Sequence, residues 1–119
     1  MTKTLLELWS AEVTIAFTKT VGVAPGRWMQ MEQKLGPTQA AKEILSPRPE
    51  SWWAPILFHL QQHGLLHTSV EALALSPVGA PVFTDAEKTE ARKPLEALDY
   101  DWQHEEPFQD LFTRLTTAP

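Results

Sequence analysis

The 119-residue sequence contains no cysteine. Without thiols, the chain can form neither a disulfide framework nor a cysteine-ligated zinc site. It also has no apolar run close to the roughly 18 residues that a membrane-spanning helix needs. Glu7 and Glu12 interrupt the apolar pattern of the first twenty residues, which show no cleavage-type ending, so no signal peptide is expected. We therefore expect a cytoplasmic protein that does not bind a membrane.

Sequence motifs of the common catalytic classes are missing as well. The chain has no G-x-S-x-G segment, no S-x-x-K pair and no glycine-rich phosphate loop. Glu105 and Glu106 are paired carboxylates, but adjacent residues point apart on a helix. We therefore expect a non-catalytic protein that carries no cofactor.

Basic residues are scarce in the second half of the chain. Residues 1–50 hold six Lys or Arg against five Glu, a balance of +1, whereas residues 51–119 hold four against ten acids, a balance of -6. Because nucleic-acid affinity rests on phosphate neutralisation, nucleic acid is an unlikely class of partner. A solvated acidic surface explains the charge most simply, and a basic partner is the alternative.

Signals for β-strands are also missing, whereas helical periodicity covers most of the chain. There is no sustained period-2 alternation and no Asn-Gly or Asp-Gly turn. Apolar spacing, glycines and prolines predict helices over residues 3–21, 25–35, 37–45, 51–64, 69–75 and 84–98, and allow a last one over 107–115. We expect an all-α fold, a compact bundle of five or six short helices without a sheet.

The clearest local signal is a capping box at the start of the sixth helix. Thr84 and Glu87 have the T-x-x-E spacing, and Phe83 stands in the staple position before them. Pro94 lies inside this helix, where proline removes a backbone hydrogen bond at a cost of about 3 kcal/mol. We therefore expect a kink or a restart near Lys93.

The acidic residues of the C-terminal segment alternate with aromatic residues. We expect residues 1–98 to form one helical domain. Residues 99–119 interleave acids with Tyr100, Trp102, Phe108 and Phe112. Such a segment either packs on the domain or docks on a partner, and packing is the favoured interpretation.

Three histidines recur at every fourth residue, namely His59, His63 and His67. A helical His pair at i and i+4 can bind zinc, but Leu60 follows His59 where metalloproteases have a glutamate. Histidine also suits the negative end of a helix dipole. We favour the interpretation that these histidines lie on the solvated edge of a helix and bind no metal. A pH-dependent contact and a metal-dependent hydrolase using His59 and His63, with His67 or a tail residue as third ligand, are the alternatives.

The helix pair over residues 25–45 resembles a helix-turn-helix. Arg27 and Lys34 share one face of the first helix, and Lys42 lies on the second. The second helix is short and pairs its lysine with Glu43, so ordinary helix packing is favoured. A DNA-associated accessory protein is the corresponding alternative function.

Three segments between residues 36 and 100 form a combined pattern. "GPTQAAKEIL" fits G-x3-A-A-K-x2-L, "SVEALALSP" is close to T-V-E-x-L-V-L-x-P, and "FTDAEKTEARKPLEALDY" is close to F-T-x2-E-x3-A-R-x2-L followed by L-G-Y. Together they resemble a family of short, uncharacterised bacterial proteins that are all-helical and have no established activity. The departures from the pattern are Ser69 for threonine, Ala74 for valine, Pro94 within the helix, and Asp99 for glycine.

The resemblance implies a helical fold and singles out Glu71. This residue would cap or bridge neighbouring helices, with Arg92 as its candidate partner, or would have a functional role. The loss of the glycine at Asp99 puts the tight end of the sixth helix in question.

Aromatic residues offer the best candidates for partner binding. A helical wheel puts Trp53, Ile56, Leu57 and Leu60 on the core side of the fourth helix, with Phe58 pointing away. The candidate contact residues are Trp52, Phe58, Trp102 and Phe108. We therefore predict a helical module that binds another protein or associates with itself.

Overall fold

The computed structural model describes residues 4–47 and 49–117. This part of the chain contains no strand and has seven α-helices: α1 (Leu5–Val21), α2 (Gly26–Leu35), α3 (Pro37–Ile44), α4 (Glu50–Gln62), α5 (Val70–Ala74), α6 (Asp85–Ala97) and α7 (Glu106–Thr117). Two 3-10 turns, Leu66–Thr68 and Trp102–His104, precede α5 and α7. The all-α prediction is confirmed, with seven helices in place of five or six. The predicted helix start at residue 3 lies outside the described residues.

Helix α5 is buried on every side. Its five residues, VEALA, are at most 7% exposed, and Ala72, Leu73 and Ala74 are completely buried. A helix this short is not stable alone in water, so it depends on the elements packed around it. It packs mainly against α6 and the Leu66–Thr68 turn. The small side chains at 72 and 74 allow this close approach.

Buried serines satisfy the backbone at both ends of α5. The Ser69 hydroxyl accepts a hydrogen bond from the Ala72 N–H at 3.1 Å, which caps the N-terminus. At the other end, the Ser76 hydroxyl donates to the Leu73 carbonyl at 2.6 Å and accepts from the Gly79 N–H at 3.2 Å. These bonds matter because an unpaired buried polar group costs about 1–3 kcal/mol.

Two hydrophobic clusters form the interior. The larger surrounds α5 and draws on α1, α3, α6, α7 and the 76–83 loop; its members include Trp9, Leu45, Leu73, Phe83, Phe108 and Phe112. The smaller lies under α4 and is built from Leu57, Leu60, Leu65 and Leu66, with Phe17, Val21, Trp53, Leu98 and Tyr100 at its edge. Helix α4 therefore rests on a separate and thinner layer of side chains.

Helices α4 and α6 end in the same hydrogen-bonded motif. At the end of α4, Gly64 has φ +68°. The Gly64 N–H donates to the Gln61 carbonyl, and the Leu65 N–H donates to the Leu60 carbonyl at 2.8 Å. At the end of α6, Asp99 has φ +55°, and the Tyr100 N–H bonds the Leu95 carbonyl at 2.9 Å. This is the Schellman arrangement, which usually requires glycine at the left-handed residue. The tight turn at the end of α6 therefore forms at Asp99 although this residue is not glycine.

Two helices, α4 and α6, contain a proline beyond their first turn. Helix α6 is continuous from Asp85 to Ala97, so the restart expected near Lys93 does not occur. The Pro94 ring is fully buried, and this packing offsets the backbone hydrogen bond that proline cannot make. Helix α4 starts at Glu50, which puts Pro55 in its second turn.

The longest of the described helices is α1, with 17 residues. Among the described residues, no helix combines the length and the apolar character that crossing a membrane requires.

Substitution of Gly79 by alanine tests the packing of the 76–83 loop. An added Cβ would lie 2.2 Å from the Leu73 carbonyl oxygen, which belongs to buried backbone and cannot move freely. We expect Gly79→Ala to lower the free energy of unfolding by about 3 kcal/mol in urea denaturation. Gly26→Ala is the control, because no atom lies within 4 Å of its Cβ. Equal stability of the two variants would contradict the packing described for this loop.

Candidate functional site

The outward side of α4 exposes large apolar side chains. Trp52 is 70% exposed, Ile56 is 52% exposed and Phe58 is 51% exposed. Trp52 and Ile56 share one side of the helix, and Phe58 lies on another; the side that carries Leu57 and Leu60 is buried. These exposed side chains therefore contribute little to the fold, and they form an apolar surface on an acidic protein.

Two imidazoles continue this surface along the helix. His59 and His63 are exposed, and their rings meet edge to face with centroids 4.7 Å apart. His59 also meets the Phe17 ring of α1 edge to face, with centroids 6.2 Å apart. We call the surface formed by Trp52, Ile56, His59 and His63 the α4 face. Phe58 is exposed on a different side of the same helix.

The α4 face corrects one assignment made from the helical wheel. Ile56 was predicted on the core side, but it is half exposed, so that prediction is wrong. The wheel places it at the edge of the apolar arc, and α6 and the Leu66–Thr68 turn cover only the side carrying Leu57 and Leu60. The signal that was missed is the 4-3-4 spacing of Trp52, Ile56, His59 and His63.

Formal charge is nearly absent from α4. Glu50 is the only Asp, Glu, Lys or Arg in its thirteen residues, ESWWAPILFHLQQ. Charged residues make up 21% of the whole chain. Depletion of charge around exposed aromatic residues is typical of the central part of a protein interface.

The third histidine does not join the other two. His67 lies half-buried in the Leu66–Thr68 turn beyond the end of α4. Desolvation by burial lowers the pKa of His67 below its ordinary value of 6.5. Among the described residues, no group of three or more His, Cys, Asp or Glu could hold a metal ion. The metal-dependent hydrolase remains an alternative prediction with two candidate ligands, His59 and His63.

The other two aromatic candidates lie away from the α4 face. Phe108 is 4% exposed and packs in the larger core cluster, with its ring 4.8 Å from that of Phe112. Trp102 is half-buried against the same cluster. Helix α7 thus fixes the acidic-aromatic segment onto the domain, and Phe108 has no surface to offer a partner.

The three basic candidates of the 25–45 helix pair have different environments. Arg27 and Lys34 are exposed on α2. The Lys42 ammonium is instead bound by protein groups: it lies 2.9 Å from the Glu87 carboxylate and 3.2 Å from the Val82 carbonyl oxygen. It also sits 5.4 Å from the centroid of the Phe83 ring. Lys42 therefore joins α3 to α6 and is not free to contact a phosphate.

Glu87 is the acceptor at the centre of this connection. Its carboxylate accepts the Thr84 N–H at 2.9 Å, and the Thr84 hydroxyl accepts the Glu87 N–H at 3.2 Å, which completes the capping box. Desolvation acts to raise the pKa of Glu87, but the hydrogen bond from the Thr84 backbone and the charge of Lys42 outweigh it and lower the pKa.

An open groove runs between α1 and α2. It has a volume of about 530 Å³ and is lined by Glu7, Ala11, Met29, Glu32, Gln33 and Pro37. Both carboxylates already have partners, since Glu7 completes the capping box of α1 and Glu32 accepts from the buried Ser10 hydroxyl. The Trp28 indole N–H in turn donates to Ser10 at 3.0 Å. Both carboxylates that line the groove are therefore hydrogen-bonded within the protein.

Glu71 and Arg92 have contrasting positions. Glu71 lies in α5 and is 3% exposed, whereas Arg92 is exposed on α6. A buried carboxylate in the central helix fits the structural role proposed from the sequence, because a carboxylate at this depth needs partners. The bridge to Arg92 and a functional role for Glu71 stay predictions.

A scan against protein-family models and searches of curated proteins and of solved structures return no match for this chain. The resemblance to a bacterial helical family therefore stays a prediction.

Substitution of Lys42 tests its structural role. Lys42→Met keeps the aliphatic stem and removes the charge, so we expect a loss of about 1 kcal/mol in the free energy of unfolding. Lys93→Met is the control, because its ion pair with Glu90 is mostly exposed and should contribute about 0.5 kcal/mol or less. Equal effects of the two substitutions in urea denaturation would contradict the role assigned to the Glu87 contact.

The half-buried His67 predicts a pH dependence of stability. The pKa of His67 in the folded chain lies below 6.5. As the pH falls through 6.5, the imidazole therefore binds a proton in the unfolded chain before it does so in the folded chain. The contribution of His67 is therefore present above the ordinary pKa and is lost on acidification. Between about pH 7.5 and about pH 5.5, the wild type should lose more stability than His67→Asn. Parallel stability curves for the two proteins would refute the assignment.

Proposed function

We propose that this chain is a non-catalytic helical module. It binds either a different protein or a second copy of itself through the α4 face. The single observation that carries the proposal is the 70% exposure of Trp52 beside the half-exposed Ile56. Tryptophan is among the residues that dominate binding energy at interfaces, because one side chain buries a large apolar area with few rotatable bonds.

The position of α4 supports this use of its outward side. The helix is anchored by Leu57 and Leu60 below and by a hydrogen bond from the Gln61 amide to the Leu98 carbonyl at 3.5 Å. A rigid helix presents its side chains with little loss of backbone entropy on binding, which favours affinity. The face can therefore act as a preformed docking surface.

The composition of the face also fits a docking role. Contiguous exposed apolar patches of about 300–600 Å² on small proteins often mark interaction sites. The α4 face carries one exposed tryptophan and one exposed isoleucine, next to two exposed imidazoles. Contact with water does not stabilise exposed apolar side chains of this size, so their exposure is consistent with a docking surface.

Site-specific photo-cross-linking in the cell of origin tests the proposal. A benzophenone amino acid at Ile56, which lies one turn after Trp52 on the same side of α4, should give discrete cross-linked protein products, and Trp52→Ala in the same chain should remove most of them. The same group at Thr113, an exposed position of α7, is the matched control and should give few products. Absence of products from position 56, or equal yields from both positions, would contradict a docking role for the α4 face.

A further inference from the structure

We infer that His59 and His63 together bind one divalent transition-metal ion, of the class that includes Zn²⁺, Ni²⁺ and Cu²⁺. The two imidazoles supply two ligands, and water fills the remaining coordination positions. This site goes beyond the proposed function, because the purified chain alone is sufficient to form it. The spacing of the two residues, the distance between their rings and the surroundings of their nitrogens support it.

Their spacing puts the two imidazoles on one side of α4. His59 lies in the last turn of the helix, and His63 is the C-cap residue four positions further on. Residues at i and i+4 are neighbours on a helix surface, with Cβ atoms about 5–6 Å apart. A helical pair of histidines at this spacing supplies two of the zinc ligands in metalloprotease motifs. Both side chains can therefore reach a single ion.

The separation of the two rings matches coordination of a common ion. Their centroids are 4.7 Å apart. A metal–nitrogen bond of about 2.0–2.1 Å puts an imidazole centroid about 3.2 Å from the ion, so ligands at about 90–110° have centroids about 4.5–5.2 Å apart. The rings now meet edge to face, and rotation about the Cβ–Cγ bond turns their nitrogens toward the ion with little movement of the centroids. The ring separation, which the sequence does not reveal, thus favours a metal over the metal-free helix edge.

The surroundings of the pair leave ring nitrogens available. Both imidazoles are exposed. His59 packs edge to face against Phe17, with centroids 6.2 Å apart, but a phenyl ring has no polar atom that would compete with a metal for an imidazole nitrogen. The Phe17 contact instead limits the orientations of the His59 ring, so less conformational entropy is lost when an ion binds.

Two protein ligands make a weak and exchangeable site. No third His, Cys, Asp or Glu joins the pair among the described residues. Imidazole suits Zn²⁺, Ni²⁺ and Cu²⁺, whereas Mg²⁺ prefers oxygen ligands. We therefore expect a dissociation constant on the order of 10–100 µM for Ni²⁺, and tighter binding of Cu²⁺.

Calorimetric titration of the untagged full chain with NiCl₂ at about pH 7.5 tests the site. The wild type should bind one Ni²⁺ ion, and His63→Ala should raise the dissociation constant at least about 10-fold, because a single imidazole cannot chelate. His104→Ala is the matched control. It removes an exposed imidazole whose Nδ1 lies 2.7 Å from the Asp101 carboxylate, and it should leave the affinity unchanged. Titration with MgCl₂ measures the general attraction of an acidic chain for cations and should show no effect of His63→Ala.

Thermal unfolding gives a second readout of the same site. An ion held across one turn of α4 binds the folded chain better than the unfolded chain, so Ni²⁺ should raise the melting temperature of the wild type. Because His63 is exposed, His63→Ala should have the wild-type melting temperature without metal and should respond little to Ni²⁺. His59→Ala should lose the same response.

NMR titration with Zn²⁺ locates the ion. The imidazole resonances of His59 and His63 should shift together, and those of His67 and His104 should stay in place. Equal Ni²⁺ affinities of His63→Ala and the wild type, or an equal loss in His104→Ala, would mean adventitious binding to the acidic surface and would overturn the site. These outcomes leave the docking proposal intact, because cross-linking from position 56 requires no metal.

Discussion

The complete burial of α5 is the constraint on which the rest of the structure depends. A five-residue helix gains too few hydrogen bonds to form by itself, so its sequence can be helical only inside a shell of other elements. Burial in turn requires that both of its ends be satisfied without water, and Ser69 and Ser76 meet this requirement. Gly79 lets the following loop turn back against the Leu73 carbonyl. The flanking helices thus pack around α5, whose two ends are capped by Ser69 and Ser76.

This arrangement explains why one helix can keep an apolar outer face. The larger cluster around α5 draws on α1, α3, α6 and α7, whereas α4 rests on the smaller cluster formed by Leu57, Leu60, Leu65 and Leu66. Only one side of α4 packs on the smaller cluster. Packing in the fold therefore does not constrain the residues on the exposed sides of α4. Exposure of Trp52 costs the monomer an unfavourable hydration free energy, which an interface would recover.

Local signals in the sequence predicted the fold well, because helix periodicity and capping depend on neighbouring residues. The Thr84–Glu87 capping box forms, and the class is all-α. Long-range contacts were not readable in this way. The Lys42 ammonium pairs with Glu87, 45 positions away in the sequence, and Pro94 is tolerated within α6 because its ring is buried. Asp99 adopts the left-handed conformation that glycine usually occupies at the end of a helix. Within the candidate site, exposure of Trp52 and Phe58 agrees with the wheel, but Ile56 and Phe108 depend on which neighbours cover them, and no single helix shows this.

Native-state hydrogen exchange measures the central claim most directly. The amide of Leu73 bonds the Ser69 carbonyl at 3.0 Å inside the fully buried helix, so it should exchange only when the whole domain unfolds. Its free energy of exchange should therefore equal the global free energy of unfolding and exceed the values found in α2, which has no buried residue. Exchange of the Leu73 amide at the rate of the α2 amides, or by an opening reaction independent of denaturant, would contradict the account.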